Sequence, residues 1–286
     1  MRPLAAAREA AELVKFAHTA FALPFALIAA MAAADGFPSW RVLGWILLAM
    51  AGARTAAMAF NRLADQRVDA ANPRTARRAL PAGRVGRRFA WILVALGAAA
   101  LGVAAWRLNP LCLALAPVAL AWVLAYSYSK RFTRWSHLWL GLGLGIAPVG
   151  AWLAVRGSFA APPLVLAAGV TAWVAGFDVL YSLPDEAFDR AAGLHSLPAR
   201  IGAARAIAVA RALHVAAAAG FAAFAWCVGG WGLWAGSAAA AALLAWQHTL
   251  IGPGRLERLG TAFFTANGVL ALLMFALYLL DMMVRA

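Results

Sequence analysis

The stretch from Val42 to Asp69 reads VLGWILLAMAGARTAAMAFNRLADQRVD, an apolar run that ends in regularly spaced polar residues. A membrane helix needs roughly 17–25 apolar residues, and the run up to Phe60 meets that length with one charge inside it. Asn61, Asp65 and Asp69 follow at intervals of four, which predicts that they lie along one face of a helix. Carboxylates beside a bilayer are costly unless a cation, a partner or a substrate neutralises them. The stretch therefore predicts a membrane helix with a charged ligand site at its end.

A second apolar run, which ends at Tyr181, is followed by the sequence SLPDEAFD. Its polar residues also recur at helical spacing: Asp178, Tyr181, Asp185 and Asp189. Pro184 interrupts this pattern because proline lacks a backbone donor and usually kinks or ends a helix. We therefore expect Asp178 and Tyr181 on the membrane helix, with Asp185 and Asp189 on a reoriented turn beyond it.

The composition predicts an all-α, polytopic membrane protein of nine transmembrane helices. Hydrophobic residues make up 65% of the chain and charged residues 13%, whereas soluble domains carry about a quarter charged residues. Many of the runs are rich in Ala and Gly, which suits closely packed membrane helices. No linker divides the chain, so we expect one domain, 1–286, and a first run that is retained rather than cleaved. The nine runs are 16–34, 42–60, 89–106, 110–126, 138–155, 162–181, 207–228, 231–251 and 261–280.

The net charge of +14 follows from membrane topology rather than from binding to nucleic acid. Nine spans would place nineteen of the 25 Lys and Arg residues on the side that holds the N-terminus. Positively charged loops stay in the cytoplasm, so the N-terminus and both aspartate motifs are predicted to face it. We therefore expect a multi-pass protein of the cytoplasmic membrane, in contact with the lipid bilayer and with no nucleic acid partner.

The aspartates suit a hard divalent cation, because Mg²⁺ commonly bridges one or two carboxylates to a substrate phosphate. Helix capping with salt bridges to nearby arginines is the alternative, and it accounts better for one motif than for two. Metal together with Arg or Lys stabilises charge on a departing diphosphate, although each basic residue alone can simply determine topology. The nearby basic residues are Arg67, Arg74, Arg77, Arg78, Lys130, Arg131, Arg190 and Arg200.

Three further polar residues lie inside apolar runs, and each has two interpretations. Arg54 precedes Asn61 by seven residues, so it should lie on the same helix face, roughly 10 Å deeper in the membrane. It either pairs with an acid such as Asp178 or binds the carboxylate of an acidic substrate. The ring of Tyr181 either packs in the core or steadies a cation with its π-face. Asn267 could bind another helix as readily as a ligand.

At these residues the chain resembles the UbiA superfamily of intramembrane aromatic prenyltransferases. The first motif is similar to the family's Asn-x-x-x-Asp-x-x-x-Asp and is followed at family spacing by RTARRALPAG, which starts at Arg74. The second is similar to Asp-x-x-Tyr-x-x-x-Asp-x-x-x-Asp. The segment YSYSKRFT, which contains Lys130, resembles the loop between the family's fourth and fifth helices. One position departs from many relatives, because Arg62 stands where they carry an Asp after the Asn.

The resemblance implies nine helices around a central cavity, with a cytoplasmic cap formed by the loops after helices 2 and 6. It implies Mg²⁺ and a polyprenyl diphosphate held by four aspartates: Asp65, Asp69, Asp185 and Asp189. Asn61 and Asp178 would support the metal and the diphosphate. The phosphate oxygens would be bound by Arg74, Arg78 and Lys130. Tyr181 would steady the allylic cation before the aromatic ring attacks it.

The resemblance also narrows the acceptor to an aromatic acid. Arg54 occupies the position where hydroxybenzoate-type members carry Arg, which favours a ring that bears a carboxylate. Both 4-hydroxybenzoate and 1,4-dihydroxy-6-naphthoate fit, in ubiquinone or menaquinone biosynthesis respectively. Prenylation of heme or chlorophyllide is the alternative within the family, and a transporter of an anionic metal complex is the alternative outside it.

Overall fold

The computed structural model describes residues 19–285, with side chains from residue 21 onward. This part of the chain is built from α-helices. Their bounds are α1 Thr19–Ala34, α2 Trp40–Ala64, α3 Gln66–Ala71, α4 Arg87–Leu108, α5 Pro110–Ser129, α6 Ser136–Arg156, α7 Ala161–Tyr181, α8 Glu186–Ala191, α9 Leu197–Ile201, α10 Ala203–Val228, α11 Trp231–Leu250 and α12 Asn267–Arg285. A 3₁₀ turn, Leu183–Asp185, precedes α8, and a π-helical segment, Thr261–Ala266, runs directly into α12.

The predicted all-α fold is confirmed, since each of the nine apolar runs coincides with a helix between residues 19 and 285. In that part of the chain, seven helical segments are long and apolar enough to cross a membrane. Helix α1 is shorter, and α11 is not among the seven, so the count of nine spans stays a prediction. Residues 16–18 of the first predicted run, and the predicted cytoplasmic N-terminus, lie outside the described residues.

By their internal contacts the described residues form two compact units, 39–128 and 20–38 together with 129–285. In the first unit, α2 and α4 approach each other through glycines. A Cβ placed on Gly97 would lie 2.6 Å from the Ala56 nitrogen and 2.6 Å from the Gly52 oxygen. Small residues of this kind let the backbones of membrane helices come close together. The Ala- and Gly-rich composition of these runs is therefore used for helix contact.

The loop that follows the first aspartate motif is packed onto the same two helices. Its Leu80 and Val85 are 2% and 3% exposed, and they lie in one apolar cluster with Leu63 of α2 and Val94 of α4. Burial of such side chains stabilises a fold by about 1.5–3 kcal/mol each. The loop is thus fixed to the helix end that carries Asn61 and Asp65.

In the second unit α7 contacts both α6 and α10, again through small residues. A Cβ on Gly145 of α6 would lie 2.9 Å from the Ala167 oxygen of α7. Aromatic rings fill the space around Trp173, whose ring centroid lies 5.1 Å from that of Phe25 and 5.2 Å from that of Phe177. This packing holds the end of α7, where the second motif begins.

Replacing Gly97 by Ala should destabilise the first unit, because the new methyl group has no room against α2. We expect a loss of about 1–3 kcal/mol, measured as a lower midpoint of unfolding in detergent.

Gly102 on the same helix provides the matched control, since a Cβ there meets no atom within 4 Å. Gly102→Ala should leave the midpoint unchanged or raise it slightly, because Ala is the better helix former. Equal effects of the two substitutions would contradict the close approach of α2 and α4.

Candidate active site

The first aspartate motif spans the junction between two helices. Helix α2 ends at Ala64, Asp65 follows it with φ −96° and ψ 6°, and α3 begins at Gln66. The Asp65 nitrogen still donates to the Asn61 oxygen at 2.9 Å, and the Asp69 nitrogen donates to the Asp65 oxygen at 2.7 Å. The prediction that all three side chains share one uninterrupted helix face is therefore wrong in detail, because the helix breaks at the middle aspartate.

Asp69 is buried between two arginines, with 5% of its surface exposed. Arg78 donates through Nη1 to Oδ1 of Asp69 at 2.7 Å, and Arg62 donates through Nη1 to Oδ2 at 3.3 Å. The Thr75 hydroxyl donates to the Asp69 backbone oxygen at 3.0 Å. Arg62 is itself only 7% exposed, so it forms part of the interior of the motif. The salt-bridge alternative considered for these aspartates is thus realised at Asp69.

The other predicted groups of the first unit lie on the same helix end and the loop after it. Asn61 donates through Nδ2 to Oδ2 of Asp65 at 2.9 Å, and it lies 3.5 Å from the Ser127 hydroxyl. Arg74 is exposed, and its backbone nitrogen donates to Oδ1 of Asn72 at 2.9 Å, which shapes the turn. Arg54 lies seven residues earlier on α2 and is partly buried.

The second motif has the geometry that Pro184 predicts. Helix α7 ends at Tyr181, the turn Leu183–Asp185 redirects the chain, and α8 carries Asp189. Asp185 and Asp189 are 7% and 3% exposed. Oδ2 of Asp189 is buried without a hydrogen-bond partner. A buried carboxylate oxygen without a donor is costly, and it is suited to a cation.

Asp178 is held by a histidine that the sequence did not single out as functional. His137 on α6 is 2% exposed, and its Nδ1 lies 2.7 Å from Oδ2 of Asp178. The Leu197 backbone nitrogen donates to Nε2 of His137 at 3.3 Å. Because Nε2 accepts a hydrogen bond, Nδ1 carries the proton and donates it to the carboxylate. His137 thus connects Asp178 to the start of α9.

Lys130 lies in the loop before α6, and its backbone is tied to the segment after the second motif. The His195 backbone nitrogen donates to the Lys130 oxygen at 2.7 Å. The Leu194 nitrogen donates to the Asp189 oxygen at 2.8 Å. Two consecutive residues therefore connect the loop of Lys130 to the helix that carries Asp189.

Tyr181 is stacked on Phe263 of the π-helical segment, with ring centroids 4.1 Å apart and an interplanar angle of 28°. Asn267 stabilises that segment, because its Nδ2 donates to the Phe263 oxygen at 2.9 Å. Oδ1 of Asn267 accepts from Nε1 of Trp173 at 2.7 Å. Asn267 thus binds another helix rather than standing free for a ligand, and one face of the Tyr181 ring is covered.

The model of the UbiA prenyltransferase family matches residues 22–279, nearly the whole chain. The chain belongs to the UbiA prenyltransferase family. It is 34% identical over 256 residues to the 4-hydroxybenzoate octaprenyltransferase of Alkalilimnicola ehrlichii, covering 86% of this chain and 84% of that protein.

Among solved structures, the apo UbiA homolog of Aeropyrum pernix K1 is 36% identical, with a TM-score of 0.85 over 93% of this chain and 98% of that one. A UbiA homolog of Archaeoglobus fulgidus bound to GPP and Mg²⁺ has a TM-score of 0.76 over 96% and 99% of the two chains. At 18% identity the second likeness concerns the fold alone. The chain is thus an integral multi-pass membrane protein and a prenyltransferase.

The described residues of this UbiA protein contain no group of three His, Cys, Asp or Glu side chains in the arrangement of a preformed metal site. The available oxygens nevertheless fit Mg²⁺, which is usually held by one or two carboxylates and completed by waters and substrate phosphate. The partnerless oxygen of Asp189 is the clearest such ligand.

Two residues of this UbiA site were not predicted. His137 lies 41 residues before Asp178, and spacing along the chain gives no signal for such a pair. Arg62 was noted only as a departure from relatives, and its contact with Asp69 depends on the helix break at Asp65. Each of the two residues contacts an aspartate of a motif, and neither occupies one of the positions that define the motifs.

We expect His137→Ala to lower kcat by about 10–100-fold, the usual effect of losing a residue that orients a ligand-binding side chain. His137→Asn should retain more activity, because its amide nitrogen can replace Nδ1 as the donor to Asp178. Prenyl transfer by membranes that contain equal amounts of each variant measures the difference. Equal activity of the Ala variant and the parent protein would show that Asp178 needs no such support.

Proposed function

We propose that this protein transfers a polyprenyl group from a polyprenyl diphosphate to a hydroxylated aromatic carboxylic acid, with Mg²⁺. The observation that carries the proposal is the chemistry at the ends of α2 and α7. Buried aspartates follow each of these apolar helices, Asp69 after α2 and both Asp185 and Asp189 after α7, with arginine or lysine nearby in the sequence. Aspartates with Mg²⁺, together with Arg and Lys, are a general means of binding a diphosphate.

The aspartates of both motifs are proposed to hold Mg²⁺ for the diphosphate. Asp65, Asp69, Asp185 and Asp189 would hold Mg²⁺, with Asn61 and Asp178 in support. When bound, the metal neutralises the diphosphate and stabilises charge on the leaving group. Arg74, Arg78 and Lys130 would donate hydrogen bonds to phosphate oxygens. The chain's own cations thus favour departure of the diphosphate, because they stabilise the charge that develops on it.

Cleavage of the C–O bond leaves an allylic cation, which an aromatic ring can stabilise through its π-face. Tyr181 is proposed for this role, through the ring face opposite Phe263. The acceptor ring then forms the new C–C bond and loses its ring proton. Apolar surroundings protect the cation from water until that attack.

Arg54 is proposed to bind the carboxylate of the acceptor. It is partly buried in α2, roughly 10 Å from Asn61 along the helix axis, and arginine binds carboxylates through paired hydrogen bonds. The name of the relative in A. ehrlichii favours 4-hydroxybenzoate, and 1,4-dihydroxy-6-naphthoate has the same phenolic acid character. The product would enter ubiquinone or menaquinone biosynthesis at the cytoplasmic face of the inner membrane.

Membranes that contain the protein should transfer label from a polyprenyl diphosphate to 4-hydroxybenzoate or to the naphthoate when Mg²⁺ is present. Chelation of the metal should reduce turnover by at least about a hundredfold. The extracted product identifies the acceptor directly. Transfer to neither acid, with the diphosphate consumed on heme or chlorophyllide instead, would overturn the assignment.

Asp65→Ala and Asp185→Ala should each reduce turnover by about a hundredfold or more, because each removes a proposed ligand of the metal. Glu257 is an exposed acid outside both motifs, so Glu257→Ala serves as the control and should keep full activity. Protein level and unfolding midpoint in detergent separate loss of chemistry from loss of fold. An Asp65→Ala protein with normal turnover would contradict the metal role of the first motif.

Arg54→Ala should raise the KM for the aromatic acid by about 10–100-fold, the range for losing a hydrogen bond to a charged group. The KM for the diphosphate should not change. Arg54→Lys should recover only part of the affinity, because an ammonium cannot form the paired bonds of a guanidinium. Unchanged acceptor kinetics in Arg54→Ala would show that this arginine does not bind the acceptor.

A further inference from the structure

Within the first motif, the buried carboxylate of Asp69 already has two cationic partners supplied by the chain. One oxygen accepts from Arg78 at 2.7 Å and the other from Arg62 at 3.3 Å. The side chains of Arg62 and Asp69 are each 8% exposed, whereas that of Arg78 is 25% exposed. Arg62 is therefore the more buried of the two guanidinium groups.

An arginine at this position differs from an acid there by two charges, which is the charge of one magnesium ion. A cluster of three acids repels a diphosphate until metal neutralises it. Here Asp65 and Asp69 are balanced by Arg62 and Arg78, and all four side chains belong to the same helix end and its loop. These four side chains therefore carry no net charge before any metal binds.

The charge of Arg62 persists although the side chain is buried, and its contact with Asp69 fixes it in place. A guanidinium stays protonated in proteins and is less strongly hydrated than an ammonium, so it tolerates a buried position beside a carboxylate. The break at Asp65 lets α3 turn so that Asp69 meets Arg62, which lies seven residues earlier. One oxygen of Asp69 accepts from Arg62, and the other accepts from Arg78. The guanidinium of Arg78 is partly exposed and has further N–H donors.

We propose that Arg62 is a built-in cation of the first motif, which aims Arg78 through Asp69 and lets the site bind a diphosphate partly without metal. Arg62 is a positioning residue, and Arg78 is the group that contacts the phosphate. This inference rests on the proposed function and deepens it, since it concerns how the same diphosphate is bound.

Binding of inorganic pyrophosphate to the purified full-length protein, in EDTA and again in saturating Mg²⁺, tests the proposal. The parent protein should bind pyrophosphate measurably in EDTA. Arg62→Ala and Arg62→Asp should weaken that binding on the order of tenfold or more, the range for hydrogen bonds to charged groups. In saturating Mg²⁺ the loss should shrink, because added metal replaces the missing charge.

Arg67 is the matched control, an exposed arginine on the short helix α3 that follows the same break. Arg67→Asp makes the same change in net charge, and we expect it to alter pyrophosphate binding in EDTA by less than about threefold, since an exposed charge is screened. Arg62→Lys should retain part of the metal-free binding, because it keeps the charge but loses the planar geometry.

Two outcomes would overturn the role of Arg62. One is a parent protein that binds pyrophosphate only with Mg²⁺, and the other is an equal loss in Arg62→Asp and Arg67→Asp. Failure of the proposed function has a different signature, because no variant would then bind pyrophosphate or transfer a prenyl group even in saturating Mg²⁺.

Discussion

Carboxylates at the ends of apolar helices must be neutralised, and the way in which this chain does so governs the rest of its structure. Asp69 is enclosed by Arg62 and Arg78, and Asp178 accepts a hydrogen bond from His137. These contacts fix the loop after α2 in one unit and the start of α9 in the other. Oδ2 of Asp189 is buried without a hydrogen-bond partner, so it is available to a ligand.

The packing of the apolar helices determines where these acids lie. Glycines bring α2 against α4 and α6 against α7 without intervening side chains, and aromatic rings around Trp173 fill the remaining space of the second unit. Such contacts leave little room for a helix to shift, and catalysis is sensitive to misplacement by about 1 Å. The Ala- and Gly-rich composition thus allows close packing of the helices whose ends carry the charged residues.

The helices and the second motif could be predicted from the sequence because their signals are local. Apolar length marked the nine runs, and Pro184 marked the turn before Asp185. The break at Asp65 carries no proline or glycine and was missed. The partnership of His137 with Asp178 joins distant parts of the chain, so no periodicity could reveal it. That both motifs bind one diphosphate, and that Arg54 binds the acceptor, stay predictions.

The backbone bond from His195 to Lys130 has a mechanical consequence. In the segment after the second motif, His195 donates to the backbone of Lys130. The adjacent Leu194 donates to the backbone of Asp189. A shift of either segment is transmitted to the other through rigid peptide groups. The backbones of Lys130 and Asp189 are therefore mechanically coupled through two adjacent residues.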